Sequence, residues 1–244
     1  MLSIDELHQL AKDRRTIRGY KKDRNVSEEQ IQKILEVARW APSGGNGQPW
    51  EFIVIRDRGT RDKIANLFVK QQEHKKEMEM AVRGNAKMTG AGFRNAPVFI
   101  IVVGDPRVKE SYPVRTREDK AESHFYTGLA NANLLIMLAA KSLGLSTQYV
   151  SDASSPYMAT MLKAMLGIPE PLRVYHLIPV GYSSTDIAPR PRRELSEMLH
   201  HEAYEMSKYR DDQAFEKFLK TDTRIGSYGK KTWVEDDQTG EAKS

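Results

Sequence analysis

The sequence predicts a mixed α/β fold in which at least four strands alternate with helices, arranged as one main domain. Short runs of β-branched and aromatic residues predict the strands, and stretches with apolar side chains every three or four positions predict the helices. The chain has 244 residues, of which 39% are hydrophobic, and this is enough for one substantial core. A second domain is possible on length alone but is not required.

Two helices are predicted at the start of the chain, each from a capping box. At residues 3–6 and 27–30 a serine is followed three positions later by Glu or Gln, so that both side chains satisfy backbone groups of the first helical turn. The second helix is expected to run to about Trp40. Its apolar stripe consists of Ile31, Ile34, Leu35 and Ala38.

The later elements follow in alternating order. Residues 52–55 and 98–103 are short apolar runs that predict strands, whereas the polar stretch 60–80 predicts a helix. Residues 146–150 predict a strand, 155–166 a helix and 174–180 a further strand.

The helix predicted over residues 124–143 is apolar around most of its circumference and ends at Gly144. Such a helix is expected to be buried on all sides. It either crosses the centre of the domain or packs against a second subunit.

The segment after residue 201 differs from the rest, because it is rich in charge and holds scattered aromatic side chains such as Phe215, Phe218 and Trp233. We therefore predict a main domain over residues 1–201 and a C-terminal extension over 202–244. The extension is either a helix with a frayed terminus or an arm that packs on a partner subunit, which would cover the aromatic side chains.

Composition excludes several kinds of function. The chain has no cysteine, which removes disulfides, thiolate nucleophiles and cysteine-ligated metals, and which suits a reducing cytoplasm. The 38 basic and 33 acidic residues are interspersed, so we expect no nucleic-acid partner from a net charge of +5. We also expect no signal peptide, and the apolar runs are too short to span a membrane.

Motifs for several catalytic classes are missing from the sequence. The side chains of adjacent His200 and His201 diverge and cannot chelate one metal, so no metal site is predicted. His124 and His176 lie in apolar surroundings that favour a structural role. There is no nucleophile elbow, Walker A loop or dinucleotide-binding glycine motif.

Two features suit a ligand that carries a phosphate. The loop over residues 41–50 contains Gly44, Gly45 and Gly47, which allow positive φ and close approach of the backbone to a ligand. Arginine clusters stand at residues 14–18 and 190–193, and together they would bind a phosphate through bidentate contacts. Each feature alone is also typical of a surface turn or a solvated face.

These motifs resemble, in order and spacing, those of the FMN-dependent nitroreductase family. Residues 14–20, Arg-Arg-Thr-Ile-Arg-Gly-Tyr, are similar to its Arg-Arg-Ser-x-Arg-x-Phe element, and residues 41–50 to its Ala-Pro-Ser-x-x-Asn-x-Gln-Pro-Trp element. Shorter similarities follow in the same order at residues 96–98, 144–147, 166–169, 180–182 and 189–193. The resemblance covers about residues 10–200.

The resemblance implies an α+β fold with a mixed, mostly antiparallel sheet flanked by helices, in an intertwined homodimer with two flavin sites at the subunit interface. It implies that the FMN phosphate and the pyrimidine edge of the ring are held at Arg14, Arg15, Thr16 and Arg18, and that Arg190 and Arg192 close on the phosphate. The partner subunit would contact the flavin through Pro42, Ser43, Gly44 and Asn46. Val150 and Ser151 stand where many members carry the residues near flavin N5.

The implied function is an FMN-dependent oxidoreductase that uses NADH or NADPH to reduce nitroaromatics, quinones or similar small molecules by a ping-pong mechanism. The flavin carries the chemistry, so no protein acid or base is required, and Arg18 would raise its potential. Two alternatives stay open: a specialised flavin reaction such as dehydrogenation or dehalogenation, and a non-catalytic module that binds flavin or a protein partner.

Overall fold

Helices and one antiparallel sheet make up the part of the chain that this computed structural model describes, namely residues 3–84, 90–189 and 191–221. The helices are α1 (Ile4–Asp13), α2 (Glu28–Ala38), α3 (Arg58–Arg83), α4 (Val114–Ser142), α5 (Pro156–Leu166) and α6 (Asp212–Thr221). The strands are β1 (Trp50–Ile55), β2 (Val98–Gly104), β3 (Ser146–Thr147) and β4 (Arg173–Gly181).

The sheet has the strand order β1-β2-β4-β3, and each neighbouring pair is antiparallel. At one end of the sheet, Trp50 of β1 lies opposite Gly104 of β2. At the other end, Val180 of β4 lies opposite both Val98 of β2 and Thr147 of β3. We call these the Gly104 end and the Val180 end. The predicted α+β fold with a mostly antiparallel sheet is confirmed.

The sheet separates two hydrophobic cores, because successive side chains of a strand point to opposite faces. All seven residues of β2 are buried. On one face, β2 packs with α3 and α5 through Phe99, Ile101, Val103, Ile64, Phe68, Met158 and Leu162. On the other face, it packs with α2 and α4 through Val98, Ile100, Val102, Ile31, Ile34, Phe125 and Leu129.

Several predicted boundaries differ from the structure. The long helix begins at Val114 rather than at residue 124, but its backbone is kinked at Lys120, where φ is −151°. The turns before the kink were not predicted, because they are polar and carry no apolar stripe. Residues 146–150 form only a two-residue strand, followed by an isolated bridge between Val150 and Leu177. The second helix ends at Ala38, and Trp40 beyond it is 72% exposed.

Helix α4 is buried on one side only, so the expectation of burial on all sides is wrong for a single chain. Phe125, Leu129 and Ile136 are completely buried against the sheet. On the opposite face Ala130 is exposed, and Leu134 is 47% exposed. An apolar helix face therefore remains at the surface of the single chain.

The chain divides into two compact units, one of residues 1–74 with 89–187 and the other of 75–88 with 188–244. The first unit holds the sheet and both cores. The second holds α6 and two short 3-10 turns, Leu195–Glu197 and Met206–Lys208. The predicted boundary near residue 201 stays a prediction. Trp233 lies outside the described residues, as does all of the segment 222–244.

A histidine on β4 lies inside the core between the sheet and α4. His176 is 6% exposed, and its Nδ1 atom lies 3.0 Å from Nδ2 of Asn133, which is fully buried. The ring also packs against Tyr149, with 4.0 Å between the ring centroids. Burial lowers the pKa of His176 to about 4, because the charged imidazolium is desolvated there.

This histidine is expected to make the protein less stable in mild acid. The unfolded state takes up a proton below about pH 6.5, whereas the folded state takes it up only near the lowered pKa of about 4. The free energy of unfolding is therefore expected to fall by about 2 kcal/mol as the pH is lowered from about 7 to about 4.5. Urea unfolding at several pH values should show this loss in the unaltered protein and a shallower one in His176→Gln. An equal pH dependence of the free energy of unfolding in the two proteins would contradict this role of His176.

Candidate functional site

The arginine segment, residues 14–18, lies beside β3 at the Val180 end of the sheet. The backbone N–H of Ile17 donates to the carbonyl of Thr147 at 2.9 Å, and Thr16 forms a parallel bridge with Thr147. Further along, the Tyr20 hydroxyl donates to the Ile17 carbonyl at 3.0 Å, and Tyr20 forms a bridge with Ser183. Hydrogen bonds on both sides thus fix the path of this segment.

The three arginines of this segment differ in their surroundings. Arg14 and Arg15 are half-buried, and Arg18 is exposed. The N–H of Arg14 donates to the Leu10 carbonyl at 3.1 Å and so ends α1. Nη1 of Arg15 donates to the Arg14 carbonyl at 2.9 Å and also contacts the Lys12 carbonyl. Arg15 therefore stabilises the end of α1 with some of its donors.

A glycine in the turn before β2 lies directly against the backbone of the arginine segment. A Cβ atom on Gly92 would lie 2.2 Å from the carbonyl oxygen of Arg18, which is closer than any side chain can approach. Only glycine allows this contact. The sequence did not predict this contact, because it joins residues far apart in the chain.

The glycine-rich loop, residues 42–49, lies at the Gly104 end of the sheet. The Pro49 carbonyl accepts a hydrogen bond from the N–H of Asp105 at 2.8 Å. The Pro42 carbonyl accepts one from Nδ2 of Asn131 on α4 at 2.9 Å. Ser43 closes the loop internally, because its Oγ accepts from the N–H of Gln48 at 3.0 Å.

The loop has an unusual backbone, with φ of 57° at Gly45, 53° at Asn46 and 45° at Gln48. Positive φ is uncommon for residues other than glycine, and residues with such strained backbone are often found at functional sites. Asn46 and Gln48 are also exposed. The loop therefore presents two neutral polar side chains in a fixed geometry.

The glycines of this loop have a structural reason that the sequence did not reveal. A Cβ on Gly44 would lie 3.1 Å from the His124 side chain of α4, which is a tight contact, so this glycine lets the loop pack closely on α4. At Gly45 the φ of 57° is the reason for a glycine. The predicted contact of Gly44 with a cofactor stays a prediction.

The arginine segment and the loop are anchored at diagonally opposite corners of the sheet. The loop leads into β1 and the segment lies beside β3, and these are the two edge strands. Three strand spacings amount to about 14 Å, and the seven residues of β2 from Val98 to Gly104 add about 20 Å along the strand. The two anchor points are therefore about 25 Å apart in one chain.

Val150 and Ser151, the candidates for the contact near flavin N5, follow β3. The N–H of Val150 donates to the Leu177 carbonyl at 3.0 Å, its carbonyl accepts in return at 3.2 Å, and its side chain is buried in the core. Ser151 is exposed and begins the 3-10 turn Ser151–Ser154. Both contacts stay predictions, and only Ser151 has an accessible side chain.

Two buried glutamines of α3 hold this turn, and sequence reasoning did not identify them. Nε2 of Gln72 donates to the Asp152 carboxylate at 3.0 Å, and Nε2 of Gln71 contacts Oγ of Ser155. Both glutamines are more than nine-tenths buried. The available signal was their spacing, since Gln71 and Gln72 follow the buried Phe68 by three and four positions and so share its face of the helix. A buried amide must then find a hydrogen-bond partner.

The second arginine cluster is described only in part. Arg190 lies outside the described residues. Arg192 belongs to the second compact unit, where its Nη1 donates to the Pro191 carbonyl at 3.0 Å. The expected meeting of the two arginine clusters around a phosphate therefore stays a prediction.

The residues that the structure describes offer neither a metal centre nor a membrane-spanning helix. Among them, no cluster of three or more His, Asp or Glu side chains could hold a metal ion. Within the same residues, no helix is long and apolar enough to cross a membrane.

Comparisons with known proteins identify similar chains. The Nitroreductase family model matches residues 11–182. A putative NADH dehydrogenase/NAD(P)H nitroreductase of Archaeoglobus fulgidus is 32% identical over 180 residues, which cover 73% of this chain and 86% of that protein. An iodotyrosine deiodinase of Thermotoga neapolitana is 29% identical over 198 residues, or 78% of this chain and 95% of that protein. The crystal structure of a putative nitroreductase in complex with FMN from Desulfovibrio desulfuricans has a TM-score of 0.61 and 27% identity, covering 83% of this chain and 100% of that one.

Proposed function

The chain belongs to the nitroreductase family, and on this premise we propose that it is an FMN-dependent oxidoreductase that takes reducing equivalents from NADH or NADPH. The acceptor would be an electron-poor small molecule such as a nitroaromatic or a quinone. Bound FMN would supply the hydride chemistry, receiving from one substrate and delivering to the other in turn. The two substrates would use the same site in succession.

The arginine segment has the donor chemistry that FMN requires. Arg14 and Arg15 are half-buried guanidinium groups, and a partly desolvated guanidinium binds phosphate through strong, charge-assisted hydrogen bonds. Arg18 is exposed on the same segment, so a bound ligand can reach it. We propose that Arg18 lies by the pyrimidine edge of the flavin, where a cation stabilises the charge of the reduced ring.

The observation that carries this proposal is the separation of the arginine segment from the glycine-rich loop. Their anchor points lie about 25 Å apart in one chain, too far to surround one flavin ring together. A homodimer resolves the difficulty, because the loop of one subunit can complete the site at the arginine segment of the other. We therefore propose two equivalent sites, each with Asn46 and Pro42 supplied by the partner.

Exposed apolar surface supports the dimer. Helix α1 has no buried residue, and its Ile4 and Leu7 are 76% and 42% exposed. The outer face of α4 adds Leu134, and Trp40 stands exposed after α2. Exposed apolar side chains on several helices are typical of a surface that another protein covers. A second copy of the chain is the partner that we propose.

A second candidate function is reductive dehalogenation. It is favoured by the similarity to an iodotyrosine deiodinase, which extends over 95% of that protein. The candidate needs the same cofactor and the same dimer, and it differs in the acceptor. Substrate turnover must therefore decide between the two.

The proposal is tested by the absorption spectrum of the purified protein. We expect a yellow protein with one FMN per chain and two chains per particle, and we expect anaerobic NADH or NADPH to bleach the flavin. Nitrofurazone or menadione should then restore the oxidised spectrum faster than 3-iodotyrosine does. Faster oxidation by 3-iodotyrosine would favour dehalogenation. A colourless protein that does not take up FMN would contradict both candidates.

A further inference from the structure

A cleft of about 570 Å³ lies within the second compact unit, among residues 191–221 and beyond the range that the family model matches. Its apolar lining includes Met198, Ala214 and Phe218. Its charged lining consists of Arg192, Arg193, Glu194, Glu197, Arg210 and Lys217. The volume is that of a site for a small organic molecule.

The charges in this cleft are unbalanced, with four cationic side chains against two carboxylates. Arg193 and Glu197 neutralise each other, because Nε lies 3.3 Å from the carboxylate and Nη2 donates to the Glu197 carbonyl at 2.8 Å. The remaining lining still has an excess of positive charge. An anion would therefore be attracted to the cleft.

Arg210 is the cation of this lining that is held in place by aromatic rings. Its guanidinium lies over the rings of Phe215 and Phe218, 5.4 Å and 4.7 Å from their centroids, and this stacking holds the group in place. Its Nη1 atom is shielded from solvent and has no hydrogen-bond partner among the described residues. The other N–H groups of this guanidinium also have no acceptor among those residues, so they can donate to an anion in the cleft.

We propose that this cleft binds a small amphiphilic anion. Its flat apolar part would lie against Phe218 and Met198, and its carboxylate, sulfonate or phosphate would accept hydrogen bonds from Arg210 and Lys217. Because Arg210 is already stacked, little side-chain freedom is lost when the ligand binds. The proposed contacts use Arg210, Lys217, Phe218 and Met198 of the second unit, and none of them is a residue expected to bind FMN.

The test is calorimetric titration of the full-length, FMN-saturated protein with 2-naphthoate. We expect saturable binding of one molecule per chain, and at least tenfold weaker binding of 2-naphthamide, which has the same ring without the charge. Titration with 2-naphthyl phosphate shows which anionic group is preferred. Arg210→Gln should lower the affinity for 2-naphthoate at least tenfold, and Lys217→Gln should lower it several-fold. Arg58→Gln, which removes a charge from a side chain that is 87% exposed on α3, should have no effect.

Three results would overturn the proposal: no saturable binding of 2-naphthoate, equal affinity for 2-naphthamide, or unchanged affinity in Arg210→Gln with an unaltered circular dichroism spectrum. If Arg210→Gln lowers the helix content, Lys217→Gln decides, because that side chain is exposed and its loss should not disturb the fold. Binding of an acidic peptide without binding of 2-naphthoate would also overturn it in favour of a protein partner.

Discussion

Replacing both Arg14 and Arg18 by Gln is expected to weaken FMN binding by about 100- to 10 000-fold, because each lost charge-assisted contact is worth about 1.5–3 kcal/mol. Glutamine keeps much of the side-chain length and can still donate hydrogen bonds, so the change removes charge more than packing. Equilibrium dialysis or fluorescence quenching of FMN measures the affinity. The doubly substituted protein is therefore expected to be purified without flavin.

A matched control separates this loss from a general effect of net charge. Arg58→Gln together with Arg107→Gln changes the charge by the same amount, and both side chains are largely exposed, at 87% and 71%. This variant should bind FMN like the unaltered protein. Equal weakening in both double variants would show that the arginine segment is not the phosphate site.

Subunit complementation then tests whether one flavin site is built from two chains. Asn46→Asp in the glycine-rich loop keeps a residue that tolerates positive φ but introduces a carboxylate, which should repel the anionic cofactor. Co-expression of this variant with the Arg14→Gln/Arg18→Gln variant, under two different tags, allows the mixed dimer to be purified. The mixed dimer pairs an intact arginine segment with an intact loop at one of its two sites. It should bind one FMN, whereas each variant homodimer binds none.

The opposite result has a clear structural meaning. If the arginine segment and the loop served the same site within one chain, every chain of the mixed dimer would carry a lesion. No flavin would then bind. A flavin-free mixed dimer would thus contradict the shared site, even if the unaltered protein proved to be a yellow dimer.

Local chemistry made much of the fold predictable from the sequence. Both capping boxes form as expected, with Ser3 pairing with Glu6 and Ser27 with Gln30, because a cap depends only on residues three apart. Strand β2 was predicted as a fully buried strand from its continuous apolar run and is one. In each case the information lies within a few neighbouring residues.

The features that the sequence did not reveal depend on contacts between distant residues. The arginine segment was identified, but its position beside Thr147 depends on the sheet register. The packing of Gly44 on His124 was not predicted, because nothing local in the sequence shows it. The placement of the loop and the segment at opposite corners also follows from strand order, which no single motif encodes.

Gly92→Ala is expected to lower the free energy of unfolding by about 3 kcal/mol, as inserting a methyl group into a tightly packed site does. The new Cβ would lie 2.2 Å from the Arg18 carbonyl oxygen and 3.3 Å from its carbonyl carbon. Both are backbone atoms, so no side-chain rotation relieves the clash. The matched control is Gly90→Ala, because no atom of the described residues lies within 4 Å of a Cβ at Gly90.

The clash at Gly92 must move one of two well-anchored segments. The turn Gly92–Asn95 is held by Phe93, which is 1% exposed and packs edge-to-face on Phe68 and Phe99 at 5.0 Å and 5.6 Å. On the other side, the buried Ile17 and Tyr20 anchor the chain before and after Arg18. Arg18 itself is exposed between them, so we expect the backbone at Arg18 to yield. Displacement of Arg18 should lower the affinity for FMN at least tenfold, since each bidentate contact depends on the position of the guanidinium group. A lower free energy of unfolding with unchanged FMN affinity would show instead that the turn moves. If neither the free energy of unfolding nor the FMN affinity changed, the contact between Gly92 and Arg18 would be refuted.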